Sequence, residues 1–234
     1  MNIPLATGAD LTLLDCPIFN ALLTRHALFA EGNDRAKRYP PAIGPLAGMR
    51  DSSFLFDALA EILPIGETAA QFLDDVPVIP DGWTLIRQVP LTQMICAQPV
   101  DVRENSAIEP LNIANVDEML ALVELTQPGP FGKRTPELGT YLGIRDGGKL
   151  VAMAGERLQL PGYTEISAVC THPDYRGRGF ANSLISSLIQ TITQRGDVPF
   201  LHTASENLRA IRVYEGLGFQ LRRSFVVVVL RRDQ

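Results

Sequence analysis

A stretch of small and apolar residues (163–172) is joined to a helix-patterned stretch (179–195) by Arg176-Gly177-Arg178-Gly179-Phe180-Ala181 in the order written. A strand entering a helix through such a turn leaves the first-turn N–H groups without intrahelical partners. With the helix dipole behind them, those groups favour an anion and above all a phosphate. Gly177 and Gly179 carry no Cβ to keep a ligand away from the backbone. A second constellation lies downstream, where Asn207 and Tyr214 are spaced at i and i+7. At about 100° per residue that spacing is nearly two whole turns, so both side chains fall on one stripe of one helix.

Two named phosphate motifs can be set against the turn. A Walker loop ends in Gly-Lys-Ser/Thr, which does not occur here. A dinucleotide fingerprint needs a third glycine where this chain has Asn182, and an acidic strand end about 20 residues later, which is also missing. Taken alone, the turn reads as a site for an unspecified pyrophosphate.

The elements that would position these residues follow from periodicity. In the first half, helices are expected over 15–30 and 53–63, the second capped by Ser52 or Ser53 and stopped by Pro64. Short strands are expected at ETAAQFL, GWTLIRQV and LTQMICA, and the polar, Pro-flanked residues 97–110 read as a linker. The second half reads α–β–β–β–α–β–α–β. It starts with a helix over 115–125, in which Asn115 and Glu118 have capping-box spacing. A hairpin turned by Asp146-Gly147-Gly148 follows, then the strand before the glycine turn, the helix over 179–195, the strand VPFLHTA, the helix over 207–216 and a long closing strand. The expected domains are 1–105, a smaller α+β unit, and 106–234, which carries the glycine turn.

Composition narrows the class. Of 234 residues, 46% are apolar and 20% charged, enough to bury a core. The net charge of −5 argues against a nucleic-acid partner, and no apolar run approaches membrane-spanning length. Cys16, Cys96 and Cys170 are odd in number and widely spaced, which suits a reduced, cytoplasmic setting; the start of the chain has no secretory pattern. His26, His172 and His202 have no ligand-spaced neighbours, so no metal is expected.

The two constellations together resemble the signatures of the GNAT superfamily of N-acyltransferases. VCTHPDYRGRGFANSL is similar to its acyl-CoA pyrophosphate motif, [Q/R]-x-x-G-x-[G/A], with Arg176, Gly179 and Ala181 in the first, fourth and sixth places. ENLRAIRVYEGLGF is similar to its second signature, Asn-x-x-Ala-x-x-x-Tyr followed by Gly-Phe. The resemblance spans about residues 112–230 and lies nearest the glycine N-acyltransferase-like branch, in which an N-terminal domain precedes the GNAT domain. It implies an α/β (α+β) fold with a GNAT-type mixed central sheet and flanking helices, the N-terminal half being a scaffold, an acceptor-side wall or a degenerate GNAT-like half.

It further implies acetyl-CoA or another acyl-CoA as cosubstrate and a small-molecule amine or amino acid as acceptor. The pantetheine arm would pair with the backbone of Val169, Cys170 and Thr171. The pyrophosphate would rest on Arg176, Gly177, Arg178, Gly179, Phe180 and Ala181, with Asn207 and Tyr214 alongside. An acceptor ammonium must lose a proton before it can attack, and the departing thiolate must gain one. Tyr214 suits the second task, since a phenol of pKa about 10 can donate to a thiolate whose acid is near 8.5. His202 stands where GNAT enzymes that acetylate ribosomal protein N-termini carry a glutamate, and it and Glu165 are the candidate bases. A non-catalytic acyl-CoA-binding sensor or assembly module is the alternative function, and homodimers are compatible with either.

Overall fold

The structure is a computed structural model and describes residues 10–96, 98–100 and 108–234. Its centre is an eight-stranded sheet built from β4 (Thr68–Leu73), β5 (Trp83–Cys96), β6 (Ile108–Leu111), β7 (Tyr141–Asp146), β8 (Lys149–Leu160), β9 (Tyr163–Thr171), β10 (Val198–Ala204) and β11 (Phe219–Arg232). Across the sheet the order is β4-β11-β5-β10-β9-β8-β7-β6. All neighbours are antiparallel except β9 and β10. A small antiparallel sheet, β1 (Glu31–Gly32), β2 (Ala36–Arg38) and β3 (Ala47–Met49), sits beside it. The helices are α1 (Pro17–Leu23), α2 (Leu55–Ile62), α3 (Val116–Thr126), α4 (Phe180–Gln194) and α5 (Leu208–Gly216).

This is the expected mixed sheet with flanking helices, with one difference in how the halves meet. β5 lies between β10 and β11, so the sheet runs across the boundary drawn near residue 105 and the two expected units share it. Residues 97 and 101–107, where most of the expected linker falls, lie outside the described residues. The expected strands GWTLIRQV and LTQMICA form one strand that passes through Pro90. In a strand the N–H and C=O of a residue point to the same edge. The Pro90 carbonyl accepts from Ser205 N (2.9 Å) just where the ladder with β10 ends at Leu91–Ala204, so the missing N–H costs no rung.

The single helix expected over 15–30 is broken in three. A 3-10 turn (Leu11–Asp15) leads to α1, which begins with Pro17 at its first position, where no N–H is needed. A second 3-10 turn (Ala27–Phe29) follows as the chain bends to bury His26. The helix expected over 53–63 is capped by Asp51, whose carboxylate accepts from Ser53 N (2.9 Å), rather than by either serine. The cap of α3 also moves upstream. Asn112 and Asn115 form the box around a 3-10 turn, while Asn115 donates to Glu118 Oε1 (3.0 Å).

The sheet has two covered faces. On one, α4 buries Leu184, Ile185, Leu188, Ile189 and Ile192 against Met94, Ala152, Ala154, Ile166 and Leu201, with Tyr214 and Leu217 from the α5 end. Each of those aliphatic side chains contributes roughly 1.5–3 kcal/mol through burial. On the other face α1 and the small sheet bring Leu14, Ile18, Leu22, Tyr39 and Leu46 onto Ile95, Leu158, Tyr163 and Phe200. Among the described residues no helix is long and apolar enough to cross a membrane.

Candidate active site

The two parallel strands at the middle of the sheet do not stay paired. Tyr163, Thr164 and Glu165 match Val198, Pro199 and Phe200, and beyond that rung β9 and β10 part company. A bulge helps turn β9 away. Met153 faces Cys170 and Gly155 faces Ser167, so Ala154 alone opposes Ala168 and Val169. Ala168 sits at φ 52°, a left-handed conformation that costs a residue with a Cβ roughly 1–2 kcal/mol. His172 N donates to Val151 O on β8 (2.8 Å). By alternation Cys170 also turns to β8, while Val169 and Thr171 present their peptide groups to the open edge. Of the three backbone contacts expected there, two face the gap. The Cys170 thiol is buried and pushed up to about 11 by that burial.

The gap leads to the glycine turn. Gly177 and Gly179 have φ of 80° and 79°, and a Cβ on either would meet nothing within 4 Å. The glycines are needed for backbone conformation, and the space above them is open. Gly179 caps α4 without a side-chain hydrogen bond, which leaves the first N–H groups of α4 as donors. Arg178 stacks on Tyr175, its guanidinium carbon 4.6 Å from the ring centroid. Asn207 caps α5, its Oδ1 accepting from Ala210 N (3.1 Å), so its amide N–H groups are left for a ligand. Tyr214 is buried, packs edge-on to Phe219 and lines the gap; burial pushes its phenol up to about 12.

One cavity of about 790 Å³ joins these parts. It starts at the nest, passes the open edge of β9 and continues across the second face of the sheet, under residues 126–130 and Pro45-Leu46. The Pro/Gly-rich loop between α3 and the hairpin thus forms a roof. It is tied down by Arg134 N to Ala42 O (2.9 Å), while Thr135 is buried with its hydroxyl on Ile43 O.

His202 and Glu165 meet on that second face. Nδ1 of His202 lies 2.7 Å from Glu165 Oε1, and both Glu165 oxygens take a bidentate pair from Arg157 (2.7 and 2.9 Å). Burial pushes the Glu165 carboxyl up, but the Arg157 guanidinium and His202 outweigh it and hold it near 2. Glu165 is fully buried. An ionised carboxylate can only accept, so His202 Nδ1 carries the proton. Its Nε2 then accepts from Gln93 Nε2 (3.0 Å). Gln93 cannot be turned round, because Nε2 also donates to Leu14 O (3.0 Å) and Oε1 accepts from Arg222 (2.7 Å). Arg222 in turn donates to Asp15 (2.6 Å) and Leu11 O. Burial lowers the His202 pKa, and the chain of partners holds the ring neutral with its lone pair engaged. The candidate bases are therefore brought together, but neither offers a free basic lone pair.

Arg157, Gln93 and Arg222 were not singled out from sequence. A trace of the first was there, since Glu156-Arg157 interrupts an otherwise apolar strand. Among the described residues no cluster of His, Cys, Asp and Glu could hold a metal.

A mixed sheet split between two parallel strands above a glycine nest defines a GNAT-type acyltransferase fold. Residues 141–228 match the FR47-like protein family. A GNAT-family protein from Novosphingobium aromaticivorans superposes with a TM-score of 0.86 at 36% identity, over 94% of this chain and 99% of that one. A GCN5-related N-acetyltransferase from Kribbella flavida shares the fold at a TM-score of 0.60 and 16% identity, over 98% and 97% of the two chains. The chain belongs to the GNAT family. The N-alpha-acetyltransferase RimI of Mycobacterium tuberculosis is 35% identical over 105 residues, 40% of this chain and 65% of that protein. A mycothiol acetyltransferase from Corynebacterium aurimucosum is 34% identical over 62 residues, 26% of this chain and 20% of the other. The chain therefore spans just under two thirds of the first of these relatives and a fifth of the second.

Proposed function

We propose that the protein is an acyl-CoA-dependent N-acyltransferase, most simply one that moves acetyl from acetyl-CoA to the primary amine of a small molecule or amino acid. The observation that carries this is the continuous cavity running from the nest, along the open edge of β9 and past Tyr214, to the second face of the sheet. Residues 176–181 suit a pyrophosphate, since the first-turn N–H groups of α4 lack intrahelical partners and the space over both glycines is open. Val169 and Thr171 suit the amides of a pantetheine arm. An acyl-CoA supplies an activated thioester there; the protein supplies position and protons. The resemblance to the glycine N-acyltransferase-like branch fits an N-terminal half that adds β4 and β5 to the sheet and walls the acceptor end.

Tyr214 Oη holds a proton through the neutral range, because burial raises its pKa, and it is our candidate donor to the leaving thiolate. His202 and Glu165 act as wall and as positioning groups. The acceptor's own proton passes to water in the cavity, so the rate rises with pH up to the pKa of the acceptor amine. Tyr214→Phe tests the reading: turnover, followed by CoA release, falls by about 10²–10⁴ while CoA affinity by calorimetry is kept. Full turnover in the variant makes the ring mere packing. Tight CoA binding with no acceptor turned over would instead favour an acyl-CoA-binding module.

A further inference from the structure

The far end of the cavity carries information about what it accepts. Its charged wall residues are Arg87, Arg157, Arg176 and Arg209, and no carboxylate lines it among the described residues. Arg176 and Arg209 belong to the nest end, beside α4 and α5. Arg157 is already matched by Glu165 through two hydrogen bonds. Arg87 differs: it is exposed, and its side chain has no ion pair or hydrogen bond to another described residue.

Arg87 points along the same face as Val89 and Leu91, at i, i+2 and i+4 on β5. Val227 and Val229 of β11 and Phe72 of β4 widen this into an apolar floor. Leu91 pairs with Ala204, where β10 ends beside the open gap. From that rung to Arg87 is about 13 Å along a strand rising 3.3 Å per residue. The cavity thus has a reacting end, an apolar floor and one uncompensated cation at its limit. A hydrocarbon tail laid there would desolvate the guanidinium and return nothing, whereas an acid would pair with it.

We infer that the acceptor is a primary amine with an apolar body and an acidic group at its far end, which Arg87 receives. The inference rests on the N-acyltransferase reading above, and its test separates the two. CoA release from acetyl-CoA is measured with ω-amino acids of graded chain length and with the n-alkylamines of matching length. The acids should exceed their alkylamines in kcat/KM by about tenfold, as expected for one charge-assisted contact at an exposed site, and most at intermediate length. In Arg87→Gln the acid-to-alkylamine ratio should fall to near one. The ratio is taken within a single variant, so a general loss of folding or turnover cancels. Arg87→Glu should shift the preference to α,ω-diamines. Calorimetric titration of the CoA-loaded protein with the same pairs reads the preference without turnover. Acids that bind better yet are never acetylated keep the subsite and sink the transferase reading. Equal binding of acid and alkylamine, or a ratio unchanged in Arg87→Gln, overturns the inference.

Discussion

The nest end and the acceptor end of the cavity are built from different materials. At the nest the functional groups are peptide N–H groups, set by two left-handed glycines, a helix start and an unpaired strand edge. All of it comes from one continuous stretch, 167–182. At the acceptor end the groups are side chains: Arg157 from β8, Glu165 from β9, His202 from β10, Gln93 from β5, Arg222 from β11 and Asp15 from the turn before α1. Each is hydrogen-bonded to the next. A backbone site tolerates change in its surroundings, because its donors are held by local geometry. A side-chain chain fails as a unit, because its buried members, Glu165, His202 and Gln93, each need the partner beside them.

The largest effect should follow from breaking that chain. Arg157→Met leaves Glu165 as an unpaired buried charge and should destabilise the protein by about 3–5 kcal/mol in chemical denaturation. A loss under 1 kcal/mol would mean that the pair is not what holds this end together.

Acid should also find the acceptor side first. His26 is buried beside Tyr39, its Nδ1 2.7 Å from the phenol oxygen, and burial lowers its pKa to about 4 from 6.5. The unfolded chain then binds the proton more readily, so stability falls as pH drops from 6.5 to 4, by about 3 kcal/mol for this group. His202 is lowered as well and adds in the same direction. Glu165 acts in the same direction over a lower range of pH. Its folded pKa near 2 lies below 4.5, so its contribution is present above 4.5 and is lost as pH falls towards 2. Denaturation midpoints between pH 7 and 4 should show this slope, and His26→Phe should flatten it.

Smaller in stability, and confined to one ligand, is the effect expected at the nest. Gly179→Asp puts a carboxylate over the donors and a Cβ at φ 79°. CoA affinity by calorimetry should fall at least tenfold, about 1.4 kcal/mol, while the left-handed conformation costs the fold only about 1 kcal/mol. Equal losses of stability at Gly179 and Arg157 would erase the distinction between the two ends.

The same distinction explains what could be read in advance. The glycine turn, α4, the strand before it and the Asn207–Tyr214 stripe are local patterns, and the structure sets them along one cavity. The hairpin at Asp146-Gly147-Gly148 and the long closing strand follow in the same way from turn chemistry and alternation. The first hundred residues were less legible. The 3-10 turns replace regular helix there, and β1 to β3 are two or three residues long, too short to show a period.

From the order of residues alone came the anion nest, the phenol on its helix and the class of sheet, because each depends on contacts within a few turns of chain. The tertiary structure decided that β5 enters the sheet between β10 and β11, carrying Gln93 onto His202 and Arg87 to the cavity's far end. It also decided that Glu165 is ionised and His202 neutral, since a pKa depends on burial and on partners such as Arg157, Gln93 and Arg222 brought in from other strands. Periodicity records which face of a strand is buried; it holds no record of which strand lies next to it.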